Sequence, residues 1–97
     1  MRIQVRNMTE MVEYNIRNKD LMHKIMHKRI AEHIDKDVDE VYLFEIYLTD
    51  YMLPVKYVAK RYEWCHSLML ALDFFEDLEE YEMCGEIKKT IERITKY

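Results

Sequence analysis

The chain has 97 residues, 49% of them apolar and 35% charged, with a formal net charge of −4; this describes one globular domain with a modest core and argues against a disordered tract or a generic polyanion binder. Its apolar runs, such as Val41 to Phe44 and Leu68 to Leu72, fall far short of the ~20 residues that span a bilayer, and the polar residues after Met1 do not make a secretory leader, so the expected location is cytoplasmic with no membrane partner. A single glycine, Gly85, and a single proline, Pro54, leave little material for phosphate-cradling loops, nucleophile elbows or tight hairpins, and the fold expected is all-α: a single domain over 1–97, a small bundle of about four helices.

Residues 1–6 alternate apolar and polar with the period of a strand, but so short a terminal stretch is read as an N-terminal arm, and no sheet is expected. Met8, Val12 and Ile16 recur every four residues, and Leu21, Met22, Ile25, Met26, Ile30 and Ile34 continue the stripe. The polar residues 17–20 between them are a kink, a break or the exposed middle of one long helix. Asp37 and Glu40 have the spacing of an N-cap and its reciprocal carboxylate, which predicts a new helix running to Met52. Apolar groups surround that segment, leaving Glu45 and Thr49 as a narrow polar line, so it is expected to be central or shared with a partner. Pro54 is suited to open the next helix, along which Val55, Val58, Tyr62, Cys65, Met69 and Leu72 follow a 3-4-3-4-3 seam. The acids Glu76, Asp77, Glu79 and Glu80 make a turn, and Cys84, Ile87, Ile91 and Ile94 resume the seam, predicting a closing antiparallel helical hairpin. Charge is banded along the chain, net +3 over residues 1–34, −5 over 35–53, −7 over 73–86 and +3 over 87–97.

Residues that could carry chemistry are few. His23 and His27 lie four apart with Asp20 a turn earlier, but Lys24 and Lys28 would repel a cation and no further ligand declares itself beyond His33, Cys65 or His66, so both are read as solvated histidines of a helix face and no metal is expected. Ser67, the sole serine, follows His66, yet neighbours on a helix point ~100° apart and do not face each other. Cys65 and Cys84 show no CxxC spacing and are expected to fill helix interfaces as free thiols. No catalytic residue and no cofactor is expected.

Two segments carry a resemblance to known motifs. Residues 55–73 resemble a helix-turn-helix: Val58 and Ala59 at the apolar and small positions of a first helix, Tyr62 and Trp64 beside the turn, Met69 and Leu72 at the packing positions of a second. Glu63 replaces the customary turn glycine, and His66, Ser67, Leu70 and Asp73 on the reading face include no Arg or Lys. The resemblance implies DNA contact, with Lys56, Lys60 and Arg61 at phosphates and His66 and Ser67 at the reading face. In residues 76–95, the run Tyr81, Glu82, Cys84, Gly85, Glu86, Ile87, Ile91 and Ile94 resembles the second helix of the UVR motif of the UvrB and UvrC repair proteins, with Lys89 and Thr90 in place of an acidic pair. That resemblance implies a protein-binding hairpin whose small residues sit at a close helix crossing.

Ten of the twelve aromatic residues fall between Tyr42 and Tyr81, more than so small an interior readily encloses. Tyrosine and methionine suit binding surfaces, because they bury area at low entropic cost and adapt to a partner. The expectation is therefore a non-catalytic protein-binding module, an adaptor, inhibitor or regulatory accessory protein in keeping with a virus or mobile element. Its contact site would be Tyr42, Leu43, Ile46 and Tyr47, and its partner a larger protein or a second copy of itself in a homo-oligomer. The alternatives are a helix-turn-helix transcriptional regulator and a self-assembling structural subunit.

Overall fold

The computed structural model describes residues 1 to 96. In chain order it contains β1 (Arg2–Val5), α1 (Met8–Arg17), α2 (Lys19–His33), β2 (Glu40–Leu48), β3 (Leu53–Lys60), a single 3-10 turn (Arg61–Glu63), α3 (Trp64–Asp77) and α4 (Tyr81–Thr95). This is an α+β fold, and it overturns the all-α bundle. The sheet has the order β1-β2-β3, with β1 parallel to β2 across the α1–α2 connection and β2 antiparallel to β3 in a hairpin.

The error lies between residues 37 and 60. The segment Glu40–Leu48 is a central strand with apolar residues on both faces, so its apolar surround, read as a helix enclosed by neighbours, is that of a strand paired on both sides. Val41, Phe44, Ile46 and Leu48 are buried, and Leu43 is the extra residue of a bulge that interrupts the register between Tyr42 and Phe44. Pro54 does not open a helix; it sits in edge strand β3 opposite Tyr47, a position where a missing N–H is tolerated. Residues 1–6 are likewise no loose arm, since Ile3 and Val5 pair with Ile46 and Leu48.

The helical part is closer to expectation. Asn18 (φ −115°, ψ 31°) breaks the first stripe into α1 and α2. Asn7 caps α1 by accepting from the Glu10 amide at 3.1 Å, while the Glu10 carboxylate accepts from the Arg6 amide at 2.7 Å. Helices α3 and α4 form the closing hairpin, with Cys84 and Ile87 buried against Leu68, Ala71 and Phe75. No helix among the described residues is long and apolar enough to cross a membrane.

Two cores result. One lies between the sheet and the first two helices, where Met11 of α1 and Met22 and Ile25 of α2 meet Phe44, Ile46, Leu48, Ile3 and Val5. The other lies between α2 and the hairpin, where Ile30 and Ile34 meet Trp64, Leu68, Phe75 and Ile87, with Val41 and Ala59 reaching in from the strand ends. The opposite face of the sheet, carrying Arg2, Gln4, Tyr47, Pro54 and Lys56, has no helix over it among the described residues and stays at least partly open to water. Extents of 45 × 34 × 17 Å and a radius of gyration of 14.4 Å, against the ~12.5 Å usual for this length, describe a thin slab with much surface and little interior.

The joint between the two cores is made by Arg61 and Trp64. The Arg61 guanidinium donates to the carbonyls of Lys36 (2.7 Å), Val38 (3.0 Å) and Ile34 (3.1 Å), and its amide donates to the Asp39 carbonyl at 2.7 Å. These carbonyls follow α2, where a cation also meets the negative end of the helix dipole. The guanidinium lies over the Trp64 ring, 4.8 Å from its centroid, and the buried indole N–H donates to the Ala59 carbonyl at 3.0 Å.

Two turns are closed without glycine. Met52 (φ 50°) at the tip of the β2–β3 hairpin and Glu79 (φ 58°) between α3 and α4 both adopt the left-handed region, at ~1 kcal/mol each for a residue with a Cβ. Glu79 occupies the position after the helix where glycine is usual: its amide donates to Glu76 and that of Glu80 to Phe75. Gly85 instead lies inside α4, where an added Cβ would meet nothing within 4 Å, so no close helix crossing requires it. Gly85→Ala should therefore raise the free energy of unfolding by about 1 kcal/mol, seen as a higher urea midpoint at unchanged slope.

Candidate functional site

The four residues expected to form one contact patch are divided by the strand they occupy. Ile46 is wholly buried at 0% exposure and cannot meet a partner. Leu43 is half-buried between the two cores. Tyr42 is exposed, its carbonyl accepts from Arg29 at 3.0 Å, and its hydroxyl donates weakly to the Met1 carbonyl at 3.4 Å. Tyr47 is half-buried on the open sheet face beneath the Arg2 guanidinium, 4.2 Å from its ring centroid. A helix would have gathered these residues; a strand sends Ile46 and Tyr47 to opposite faces.

The residues expected at DNA are scattered too. Residues 53–60 are a strand, so the segment 55–73 is strand, turn and helix, without the first helix of a helix-turn-helix. Lys60 is held by Glu40 at 2.8 Å, which also raises its pKa above the usual lysine value. The Arg61 guanidinium is committed to carbonyls as above, Lys56 stands on the open face of the edge strand, His66 is exposed on α3 and Ser67 is half-buried there.

His23 and His27 are packed rather than solvated, and that expectation is corrected. His27 is buried, with Nε2 2.7 Å from the Thr90 hydroxyl, which itself donates to the Glu86 carbonyl at 3.2 Å. The ring therefore donates through Nε2. His23 packs on Phe74, with ring centroids 4.9 Å apart. No group of three or more metal-ligating side chains exists among the described residues. The stripe His23, His27, Ile30, Ile34, spaced 4-3-4, is the face of α2 turned to the hairpin and was readable in the sequence as such.

The surface that stands out is one the sequence reading passed over. The hairpin tip exposes Tyr51, Met52 and Leu53 in succession, with Met52 at 79%. It is fastened to the start of α1: the Thr49 amide donates to the Val5 carbonyl at 2.9 Å and the Asp50 amide to the Arg6 carbonyl at 3.0 Å. Two residues further on, α1 begins with Met8, and Met8, Val12 and Ile16 form an exposed apolar stripe along it, Ile16 at 71%. The stripe cannot turn inward, because α1 is seated through Met11 and Tyr14 on the sheet and pinned by the Asn15 amide donating to the Tyr57 hydroxyl at 3.1 Å. Six apolar side chains thus stand exposed on the hairpin tip and on the helix whose start is fastened to it, and exposed apolar patches of this kind mark interaction sites. The sequence signal was the four-residue spacing of Met8, Val12 and Ile16, which marks one face of a helix but not whether that face is covered.

Comparison with protein-family models, with curated proteins and with solved structures gave no match to this chain.

Burial pushes the His27 pKa down from its ordinary value of 6.5, and the Glu86 carbonyl and charge pull weakly the other way; burial first, then Lys19, pushes His23 down. The unfolded imidazoles protonate near pH 6.5 while the folded ones resist, so this contribution to stability is complete above pH 6.5 and is lost as the pH falls from there through the folded values. The urea midpoint should accordingly be lower at pH 5.5 than at pH 7.5, and His27→Gln should flatten that dependence.

Proposed function

We propose that the chain is a small non-catalytic protein-binding module that docks on a larger protein through the hairpin tip Tyr51, Met52 and Leu53 and the adjoining stripe Met8, Val12 and Ile16. The observation that carries this reading is the left-handed Met52 at the exposed tip. Glycine or asparagine would close the same turn with less strain, whereas methionine presents a long, polarizable side chain to whatever approaches. A strained backbone position that displays an apolar side chain to water is a feature of binding sites. Tyr51 beside it adds a large ring with a polar end, the side-chain type most enriched at interface hot spots.

The reading is tested by immobilising the full chain and capturing proteins from the native host, with Met52→Asn and Ile16→Asp as variants. Asparagine accepts the left-handed turn, so Met52→Asn should fold with equal or slightly higher stability. A bound protein should survive 0.5 M salt and nuclease treatment, and each variant should weaken it about 30-fold, as loss of a ~2 kcal/mol hot spot requires. Tyr47→Ser on the open sheet face should leave binding intact. Capture abolished by nuclease or by moderate salt, or unaffected by both variants, would refute the assignment.

A further inference from the structure

The methionines of this chain fall into two groups. Met11, Met22, Met26 and Met83 pack against the two cores, Met11 being buried, whereas Met1, Met8, Met52 and Met69 are exposed, Met52 more than any other. Two of the exposed four, Met8 and Met52, belong to the docking surface, on the segments that the Thr49 to Val5 and Asp50 to Arg6 hydrogen bonds join. Met11, only three positions beyond Met8 on α1, instead seats that helix on the sheet. Thioethers take up oxygen where they meet solvent, and the sulfoxide that forms is polar and packs poorly in an apolar contact.

We propose that Met52 and Met8 are a reversible oxidation site through which peroxide switches the docking surface off. The selectivity comes from the burial pattern of this fold, while the effect on docking rests on the assignment of that surface made above. In the forward step an S–O bond forms at the thioether sulfur as the O–O bond of the peroxide breaks. The sulfur gives up an electron pair, one peroxide oxygen stays as the sulfoxide, and the other leaves as water with both peroxide protons. A methionine sulfoxide reductase supplied with a dithiol reverses the step: the thiols become a disulfide, and the sulfoxide oxygen leaves as water. The fold survives the change, because the methionine that holds α1 in place is sealed from solvent. The hairpin turn survives it too. Backbone groups close that turn, the Tyr51 and Met52 amides donating to the Leu48 and Thr49 carbonyls at 3.2 and 3.3 Å, so the Met52 side chain turns polar without loosening it. What is lost is the soft apolar contact at the tip, since a sulfoxide buried there without a hydrogen-bond partner opposes binding.

The test is partial oxidation of the full chain with hydrogen peroxide, to about one sulfoxide per molecule, then incubation with a nuclease-treated extract of the native host and separation of complexed from free chain by size. Peptide mass spectrometry should find Met52 sulfoxide depleted about tenfold in the complexed fraction and Met8 sulfoxide depleted severalfold, with Met1 and Met69 sulfoxide equal in both. Methionine sulfoxide reductase with dithiothreitol should return the free chain to the complex, and the far-UV circular dichroism spectrum should stay unchanged throughout. Equal Met52 sulfoxide in the two fractions, depletion at Met1 or Met69 instead, or unfolding on oxidation of Met52 would overturn the switch and leave the docking surface standing. Absence of any complex with the untreated chain would refute the docking surface itself, and the switch with it.

Discussion

Everything in this fold hangs on the joint that Arg61 and Trp64 make between two small cores. Neither core is large: one has a three-stranded sheet under two helices, the other three helices sharing a handful of buried side chains. Helix α2 runs through both, but its C-terminal end and the loop after it would expose bare carbonyls if nothing met them. Arg61 meets three with its side chain and a fourth with its amide, while its flat face rests on the indole that fills the second core. Lysine could not substitute, because a single ammonium cannot fork across several carbonyls and lie flat on a ring at once. The same residue fixes the angle at which β3 passes into α3, and so the direction in which the flank of α3 faces.

A slab 17 Å thick is two layers deep, and two layers cannot enclose the apolar residues of a chain that is almost half apolar. Part of the surplus stands together at the hairpin tip and along α1, part on Tyr62 and Met69 beside and on α3, and the rest is scattered singly, as at Leu21, Val58, Leu70, Leu78 and Tyr81. The exposed edge of the sheet is guarded by Pro54 and Lys56, which deny a further strand easy pairing. The tip and the α1 stripe are a turn and a helix flank, shapes that pack against side chains, while the β3 edge carries a proline and a lysine.

Much of the helical half was legible. The closing hairpin and the buried Cys84 and Ile87 followed from spacing and from the acidic run at residues 76–80, while the polar residues 17–20 left a kink, a break and a continuous helix open and the structure breaks at Asn18. The sheet was not, for a physical reason that can be traced to two residues. Hairpin and helix-end turns are ordinarily announced by glycine or asparagine at the left-handed position, and here Met52 and Glu79 occupy it while the lone glycine sits idle within a helix. With the turn signal gone, the run from Val41 to Leu48, apolar on both faces because it is the middle strand, reads as a helix surrounded by neighbours. Two signals went unused: Asn7 followed three residues later by Glu10 marks the start of α1, and the 4-3-4 stripe of His23, His27, Ile30 and Ile34 marks the inner face of α2, although the two histidines were expected to be solvated. The contact patch was misplaced for the same cause, since Ile46 and Tyr47 share a surface only on a helix.

The central claim is that a strand hairpin presents its apolar tip to water while the strands behind it are buried. Brief peroxide oxidation of the native chain, with the methionines resolved by peptide mass spectrometry, reads this directly, because thioether oxidation follows exposure. Met52 and Met8 should oxidise at rates near those of a free peptide, and Met11, sealed between α1 and the sheet, should be protected at least tenfold relative to them, on the order of the contrast between an open and a buried thioether. Protection of Met52 to the level of Met11, or equal reaction of all three in the folded chain, would contradict the account.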